Sequence, residues 1–192
     1  MLDYEHTPYL YYIPAKYHHC TLGNFDFKGQ KKLEPILKNF IEGTGDRKGL
    51  YLHGLFGVGK SHILVSLYRI IVAREEDPSM AYYVSFEKVM KELYQRLDAK
   101  ESTSDYIEVL SEVEYLFLDD ITAVTLRDYS LEILRKIINE RYETDLATCL
   151  ASQASLRKLV ELGVAAHAIS RIEGMCEVMQ ITGRDRRRKE VK

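Results

Sequence analysis

The chain has 192 residues, which is enough for one domain with a buried core and too short for two domains of ordinary size. Its apolar content of 46%, charged content of 29% and net charge of −2 are typical of a soluble globular protein and exclude a uniformly basic nucleic-acid-binding chain. Cys20, Cys149 and Cys176 are widely separated, so we expect reduced thiols in a cytoplasmic protein. The sequence shows no secretory signal and no apolar run near the roughly 20 residues of a membrane span.

The first part of the chain predicts an irregular segment, a helix and a strand. Residues 1–26 are rich in aromatic side chains and too apolar for a free tail, so we expect them to lie across the domain. A helix is predicted from Gln30 to Ile41, and Pro35 should start it late or bend it. Glycines over residues 43–46 then break the chain before a short apolar strand, Gly49–His53.

A glycine-rich loop follows this strand. Gly54–Ser61 (GLFGVGKS) matches the phosphate-binding pattern G-x-x-x-x-G-K-[ST], and a helix is predicted from Lys60 to about Arg74. Such a loop surrounds an anion with backbone N–H groups, and the helix N-terminus adds partial positive charge. Lys60 would reach the β- and γ-phosphates, and the Ser61 hydroxyl would be a ligand of Mg²⁺. The alternative is a glycine-rich turn before an ordinary helix. The residues assigned to the nucleotide are Gly54, Leu55, Phe56, Gly57, Val58, Gly59, Lys60, Ser61 and His62.

Strands and helices alternate through the rest of the chain. Strands are predicted at Met80–Val84, Tyr115–Leu118, Leu146–Leu150 and Cys176–Ile181. Helices are predicted at Ser85–Leu97, Thr103–Leu110, Leu126–Tyr142, Ser155–Glu161 and Ala165–Ile172. The expected core residues of these helices include Val89, Leu93, Leu97, Leu131, Leu134, Ile137 and Ile138. This order predicts an α/β fold, a three-layer α/β/α sandwich around a five-stranded parallel sheet.

Two acids follow the continuously apolar strand Tyr115–Leu118, as in the Walker B element of nucleoside triphosphatases. Asp119 would hold Mg²⁺ through water, opposite Ser61, and Asp120 would orient the attacking water. The alternative is a pair of acids that starts a loop and caps the next helix. The combination with the phosphate loop favours ATP and Mg²⁺ as cofactors and hydrolysis as the reaction.

Three further features remain open from the residues alone. Gln153 could position the lytic water or cap the helix that begins near Ser155, and the two roles are equally compatible with the sequence. Arg171 could serve a neighbouring subunit, although a surface arginine is the simpler interpretation. The basic end, residues 184–192, could contact nucleic-acid phosphates or be solvated.

The ordered set of motifs resembles the AAA+ ATPases of the DnaC/DnaI helicase-loader and IstB transposition-helper group. The matching stretches are GLFGVGKS (54–61), LFLDDIT (116–122), residues 151–153, SRI (170–172) and GRDRR (183–187), together with TLGNFD at 21–26. The resemblance covers about residue 10 to the end. It divides the chain into an N-terminal segment with its helix (1–44), an ATPase core (45–183) and a basic tail (184–192), with a lid domain minimal or absent.

The resemblance implies a DNA-replication ATPase of the helicase-loader type that acts on a DNA-bound partner. It places Gln153 at the sensor-1 position, where asparagine is more usual, makes Arg171 an arginine finger acting in trans within a homo-oligomer, and offers Arg187 as a sensor-2 candidate. It also implies that the helices between Ser85 and Ser111 contact single-stranded DNA. The client would be a replicative helicase or, in the IstB-like alternative, a transposase. A small-molecule P-loop kinase is a third and weaker alternative.

Overall fold

The computed structural model describes residues 13–75 and 77–186. Within them, five strands alternate with seven α-helices. The strands are β1 (Gly49–His53), β2 (Ala81–Ser85), β3 (Tyr115–Asp119), β4 (Ala147–Ser152) and β5 (Cys176–Gln180). The helices are α1 (Leu33–Glu42), α2 (Lys60–Glu75), α3 (Phe86–Asp98), α4 (Ser104–Glu112), α5 (Asp128–Glu143), α6 (Leu156–Glu161) and α7 (Ala166–Met175). The predicted α/β/α sandwich is confirmed.

The strands form one parallel sheet in the order β2-β3-β4-β1-β5. Helices pack against both faces of the sheet. Its strands are therefore buried between two apolar clusters. At the carboxyl edge, Gly54 N–H donates to Ser152 O (3.2 Å) and Ile121 N–H donates to Ala151 O (3.0 Å). These bonds join the loops that follow β1, β3 and β4 and bring the predicted site residues to one edge.

Helix α2 is buried on more sides than its sequence pattern predicts. The expected face of Ile63, Leu64, Leu67 and Ile71 packs in the core, but Val65 and Tyr68 are also buried and Ile70 is only partly so. The additional cover comes from α1 and from the segment before it, whose Ile13, Cys20 and Phe25 join the same cluster. The expectation that the N-terminal segment, residues 1–26, lies across the domain is therefore confirmed for residues 13–26, and residues 1–12 lie outside the described part.

One predicted core position is wrong. Leu97, in the last turn of α3, has 48% of its surface exposed, since only Val89, Met90 and Leu93 of the later turns reach the core. Leu131 is partly buried and packs against the core cluster, in which Ile133 of the same helix is buried. Pro35 lies in the first turn of α1, where it removes no helical hydrogen bond, and the helix accordingly begins at Leu33. The three cysteines are free and buried.

One charged side chain, Arg141 of α5, is fully buried. Its guanidinium donates to the Thr148 hydroxyl and to five backbone carbonyls, those of Leu110, Ser111, Val113, Glu114 and Ala147, at 2.6–3.3 Å. Burial lowers the pKa of Arg141 to about 10. The side chain thus joins the end of α4 to the starts of β3 and β4, at the edge of the sheet away from the phosphate loop.

Among residues 13–75 and 77–186, no helix has both the length and the apolar composition needed to cross a membrane.

Candidate nucleotide site

The loop Gly54–Gly59 connects β1 to α2 at the carboxyl edge of the sheet. Gly57 and Gly59 have φ angles of +71° and +110°, which side chains with a Cβ rarely adopt. A Cβ at Gly59 would lie 2.6 Å from the Phe25 ring, and one at Gly57 would overlap the Asp185 carboxylate. Leu55 and Phe56 at the tip are 75% and 59% exposed. The loop therefore has a backbone that requires glycine and is approached closely from two sides.

The Lys60 side chain folds back along this loop. Its ammonium group donates to Gly54 O and to Leu55 O, each at 2.8 Å, and the residue is 8% exposed. Burial and the Lys60 charge both lower the pKa of His53, the last residue of β1. The ammonium group is held at the loop rather than in solvent, which is where a lysine that binds phosphate must lie.

Asp119 ends β3 on the same side of the sheet as α2 and is 5% exposed. One carboxylate oxygen, Oδ2, accepts a hydrogen bond from the Tyr83 hydroxyl at 2.8 Å. The other, Oδ1, is buried and has no hydrogen-bond partner among the described residues. Burial raises the pKa of Asp119, and the hydroxyls of Ser61 and Tyr83 oppose that shift. A buried oxygen without a donor, beside a serine hydroxyl, fits a hydrated divalent cation.

A divalent cation at this edge would need ligands from outside the protein. In the part of the chain that the structure describes, no group of three or more His, Cys, Asp or Glu side chains could hold a metal. Mg²⁺ is commonly held by one or two protein oxygens, water and the phosphates of a nucleotide. Ser61 and Asp119 fit that shared arrangement, and they do not fit a permanent structural metal site.

Asp120 and Gln153 meet in a small polar cluster organised by Thr122. Asp120 has a φ angle of +46°, a conformation that aspartate tolerates better than most residues, so the chain turns sharply after β3. The Thr122 hydroxyl donates to Asp120 Oδ1 at 3.4 Å and accepts from Gln153 N–H at 3.2 Å. Gln153 Nε2 also lies 3.5 Å from Asp120 Oδ1. Gln153 therefore contacts the predicted catalytic acid, whereas Ser155 caps α6 with its own hydroxyl.

The N-terminal segment and the start of the basic tail pack together over the loop. Arg186 N–H donates to Gly57 O at 2.9 Å, and its guanidinium lies 4.3 Å from the centre of the Phe25 ring and donates to Asp26 O. His62, assigned to the nucleotide from sequence, donates instead to Thr21 O of the N-terminal segment at 2.8 Å. Arg186 thus contacts the loop and the N-terminal segment while it stays exposed to solvent, and Arg187 lies outside the described residues.

Arg171 lies in α7, away from its own phosphate loop. It pairs with Glu143 at 3.3 Å and lies 5.4 Å from the centre of the Tyr142 ring, at the end of α5. Glu143 ends α5, just before β4 begins, and β4 is parallel to β1. Glu143 is therefore near the edge where the strands start, whereas the phosphate loop is at the edge where β1 ends. Arg171 is therefore near the opposite edge of the sheet, and the structure does not bring it together with Lys60, Asp119 or Asp120.

Sequence reasoning missed three groups at the site. Tyr83 contacts Asp119, Thr122 joins Asp120 to Gln153, and Arg186 contacts the loop. Tyr83 lies in a buried strand and Thr122 in a turn, and both residue types are ordinary there. No sequence pattern therefore marked them as part of the site. Arg186 was visible only as part of a charge run.

The comparisons with known proteins agree with this geometry. The sequence profile of the bacterial DnaA ATPase domain matches residues 39–176, which is more than half of the chain. This chain belongs to that family.

Helicase loaders are among the proteins that this chain is similar to. The replicative helicase loader DnaI of Bacillus subtilis is 28% identical over 121 residues, 62% of this chain and 37% of DnaI, so the chain spans little over a third of that relative. A crystal structure of the DnaC helicase loader has a TM-score of 0.75 at 23% identity and covers 88% of this chain and all of that chain. The replication initiator DnaA bound to AMPPCP and single-stranded DNA has a TM-score of 0.71 at 22% identity, with 88% of this chain and 51% of that chain covered. The two structures show a shared fold.

Proposed function

We propose that this chain binds ATP with Mg²⁺ at the loop Gly54–Ser61 and hydrolyses it. The observation that carries the proposal is the position of Asp119, which is buried beside the Ser61 hydroxyl. Its Oδ1 has no hydrogen-bond partner among the described residues. Membership of the DnaA ATPase-domain family supports the same assignment, and so does the DnaA structure that contains the ATP analogue AMPPCP.

Each residue of the proposed site has a role that follows from its position. Lys60 and the backbone of Gly57–Ser61 bind the phosphates, and Ser61 and Asp119 hold the metal with the nucleotide. Bound Mg²⁺ would neutralise charge on the β- and γ-phosphates. Asp120 accepts a hydrogen bond from the attacking water, and its contacts with Thr122 and Gln153 fix the direction of its carboxylate. Gln153 is in this way part of the water-positioning cluster.

Arg171 supplies positive charge to the nucleotide site of a neighbouring subunit. Arg171 pairs with Glu143 near the edge of the sheet away from its own loop, so it does not reach the nucleotide of the same chain. An arginine presented to the γ-phosphate of a neighbour stabilises the charge of the transition state. The active form is therefore a homo-oligomer with sites between subunits.

The biological role we propose is that of a helicase loader in DNA replication, acting on a DNA-bound partner with contact to single-stranded DNA. The likeness to DnaI and DnaC supports a replicative helicase as the client, and the DnaA complex supports the DNA contact. Co-purification of this chain with its partner from the native host tests the client. A hexameric helicase supports the proposal, and recovery of a transposase contradicts it.

Replacement of Lys60 by alanine tests the nucleotide site itself. We expect the affinity for ATP to fall about 100-fold or more, since each charge-assisted hydrogen bond to a phosphate contributes roughly 1.5–3 kcal/mol. Titration calorimetry with a non-hydrolysable analogue and Mg²⁺ measures this directly. Lys38→Ala is the matched control because Lys38 forms an exposed ion pair with Glu42 in α1. Tight binding by Lys60→Ala would mean that the loop is not the phosphate site.

A further inference from the structure

The Tyr83 hydroxyl of β2 donates a hydrogen bond to the Asp119 carboxylate of β3. Among the described residues, it is the one side chain of another strand that does so. Both side chains are buried, and the hydroxyl oxygen lies 2.8 Å from Oδ2. Oδ1 is left without a donor among the described residues. The two oxygens of Asp119 are therefore not equivalent: one is fixed by the protein, and the other is available to a ligand.

The strand pairing explains how Tyr83 reaches this carboxylate. Strands β2 and β3 are parallel, with Ser85 opposite Asp119 and Tyr83 opposite Phe117. Tyr83 and Phe117 belong to the core cluster on the α2 side of the sheet, where α2 carries Ser61 on its first turn. The Tyr83 ring also packs near Tyr68 of α2, with ring centres 6.0 Å apart. The ring is held by packing, so its hydroxyl has a defined position.

We propose that Tyr83 is a positioning residue for the metal, holding Asp119 Oδ2 so that Oδ1 faces the hydrated Mg²⁺ of the bound nucleotide. This inference rests on the proposed function, because it assumes that Asp119 binds the metal. A buried carboxylate can rotate between several orientations unless a donor fixes it. The Tyr83 hydroxyl fixes the orientation of the carboxylate before the nucleotide binds. This lowers the entropic cost of binding the metal.

The Mg²⁺ dependence of nucleotide binding tests this inference without any need for turnover. A fluorescent ATP analogue is titrated into the wild type, Tyr83→Phe, Tyr51→Phe and Asp119→Asn, first in EDTA and then at increasing Mg²⁺. Tyr51→Phe is the matched control, because Tyr51 is equally buried and its hydroxyl donates to Ala154 O at 2.8 Å in the cluster on the other face. Each tyrosine variant loses one buried hydroxyl and keeps its ring.

We expect Tyr83→Phe to require about 10- to 100-fold more Mg²⁺ for half-maximal enhancement of binding, the range typical for loss of a group that orients a metal ligand. Its affinity in EDTA should equal that of the wild type, and Tyr51→Phe should match the wild type under both conditions. The inference is wrong if Tyr83→Phe responds to Mg²⁺ as Tyr51→Phe does while Asp119→Asn does not respond. It is also wrong if Tyr83→Phe weakens binding equally in EDTA, which would indicate a structural role.

The same titration separates failure of the inference from failure of the proposed function. If wild-type binding is unaffected by Mg²⁺, Asp119 and Ser61 are not metal ligands and the proposed site is wrong. If wild-type binding responds to Mg²⁺ and Asp119→Asn does not, the metal site stands, and Tyr83→Phe alone decides the inference.

Discussion

ATP turnover by the assembled protein is expected to fall about 10³-fold or more when Arg171 is replaced by alanine, the range measured for arginine fingers. Arg171 lies near the edge of the sheet away from its own loop, where it pairs with Glu143. In this ion pair Glu143 is 66% exposed and Arg171 is 28% exposed, so its loss should change the free energy of unfolding by about 1 kcal/mol. Nucleotide binding by the separate subunit should be unchanged. The measurement is steady-state turnover at a protein concentration where the wild type is oligomeric.

Mixing inactive variants shows whether Arg171 acts between subunits. Arg171→Ala has an intact phosphate loop, and Lys60→Ala has an intact arginine, so interfaces of mixed composition should recover part of the turnover. Arg157→Ala is the control, because Arg157 of α6 is almost fully exposed and should keep wild-type turnover. If equimolar mixing restores no activity, Arg171 does not act between subunits and its role is structural.

Loss of Arg141 is expected to have the largest effect on stability. In Arg141→Met the side chain keeps similar length and helix propensity, but six buried acceptors lose their donor. We expect the free energy of unfolding to fall by about 3–5 kcal/mol, a typical cost for leaving buried polar partners unpaired. The melting temperature should then fall by about 10 °C. Urea unfolding followed by circular dichroism measures the change.

Arg135→Met is the matched control for this experiment. Arg135 occurs in the same helix and pairs with Glu132 on the surface, so its replacement should change stability by less than about 0.5 kcal/mol. Arg141→Lys should recover little, since an ammonium group has three donors and lacks the planar fork that reaches these carbonyls. If Arg141→Met is as stable as Arg135→Met, water replaces the guanidinium without cost and Arg141 does not hold the strand starts together.

The elements and the phosphate loop could be predicted because their signals are local. Continuous apolar runs marked β1 and β3, and the spacing of Gly54, Gly59 and Lys60 defined the loop before any contact was known. The pair Asp119 and Asp120 was predictable because the carboxyl ends of parallel strands meet at one edge. These features follow from chain order and strand direction alone.

The remaining contacts depend on side chains that meet only after the sheet has formed. Tyr83 and Asp119 are 36 residues apart, and Arg141 finds its acceptors on α4, β3 and β4. Helical periodicity alone gives no sign that Arg141 is buried, because it does not indicate which backbone carbonyls the end of a long side chain will meet. Leu97 was wrongly predicted to be buried, because periodicity does not show that α3 extends past the part of the core that it covers.

We propose that Gly54–Ser61 belongs to an ATPase site that a neighbouring subunit completes. ATP turnover per subunit should be measured against protein concentration, with and without single-stranded DNA, for the wild type and Asp120→Asn. We expect wild-type turnover per subunit to rise with concentration and to rise further with DNA, while Asp120→Asn binds ATP and does not hydrolyse it. Turnover that is independent of concentration, or that persists in Asp120→Asn, would show that the site is not completed in this way.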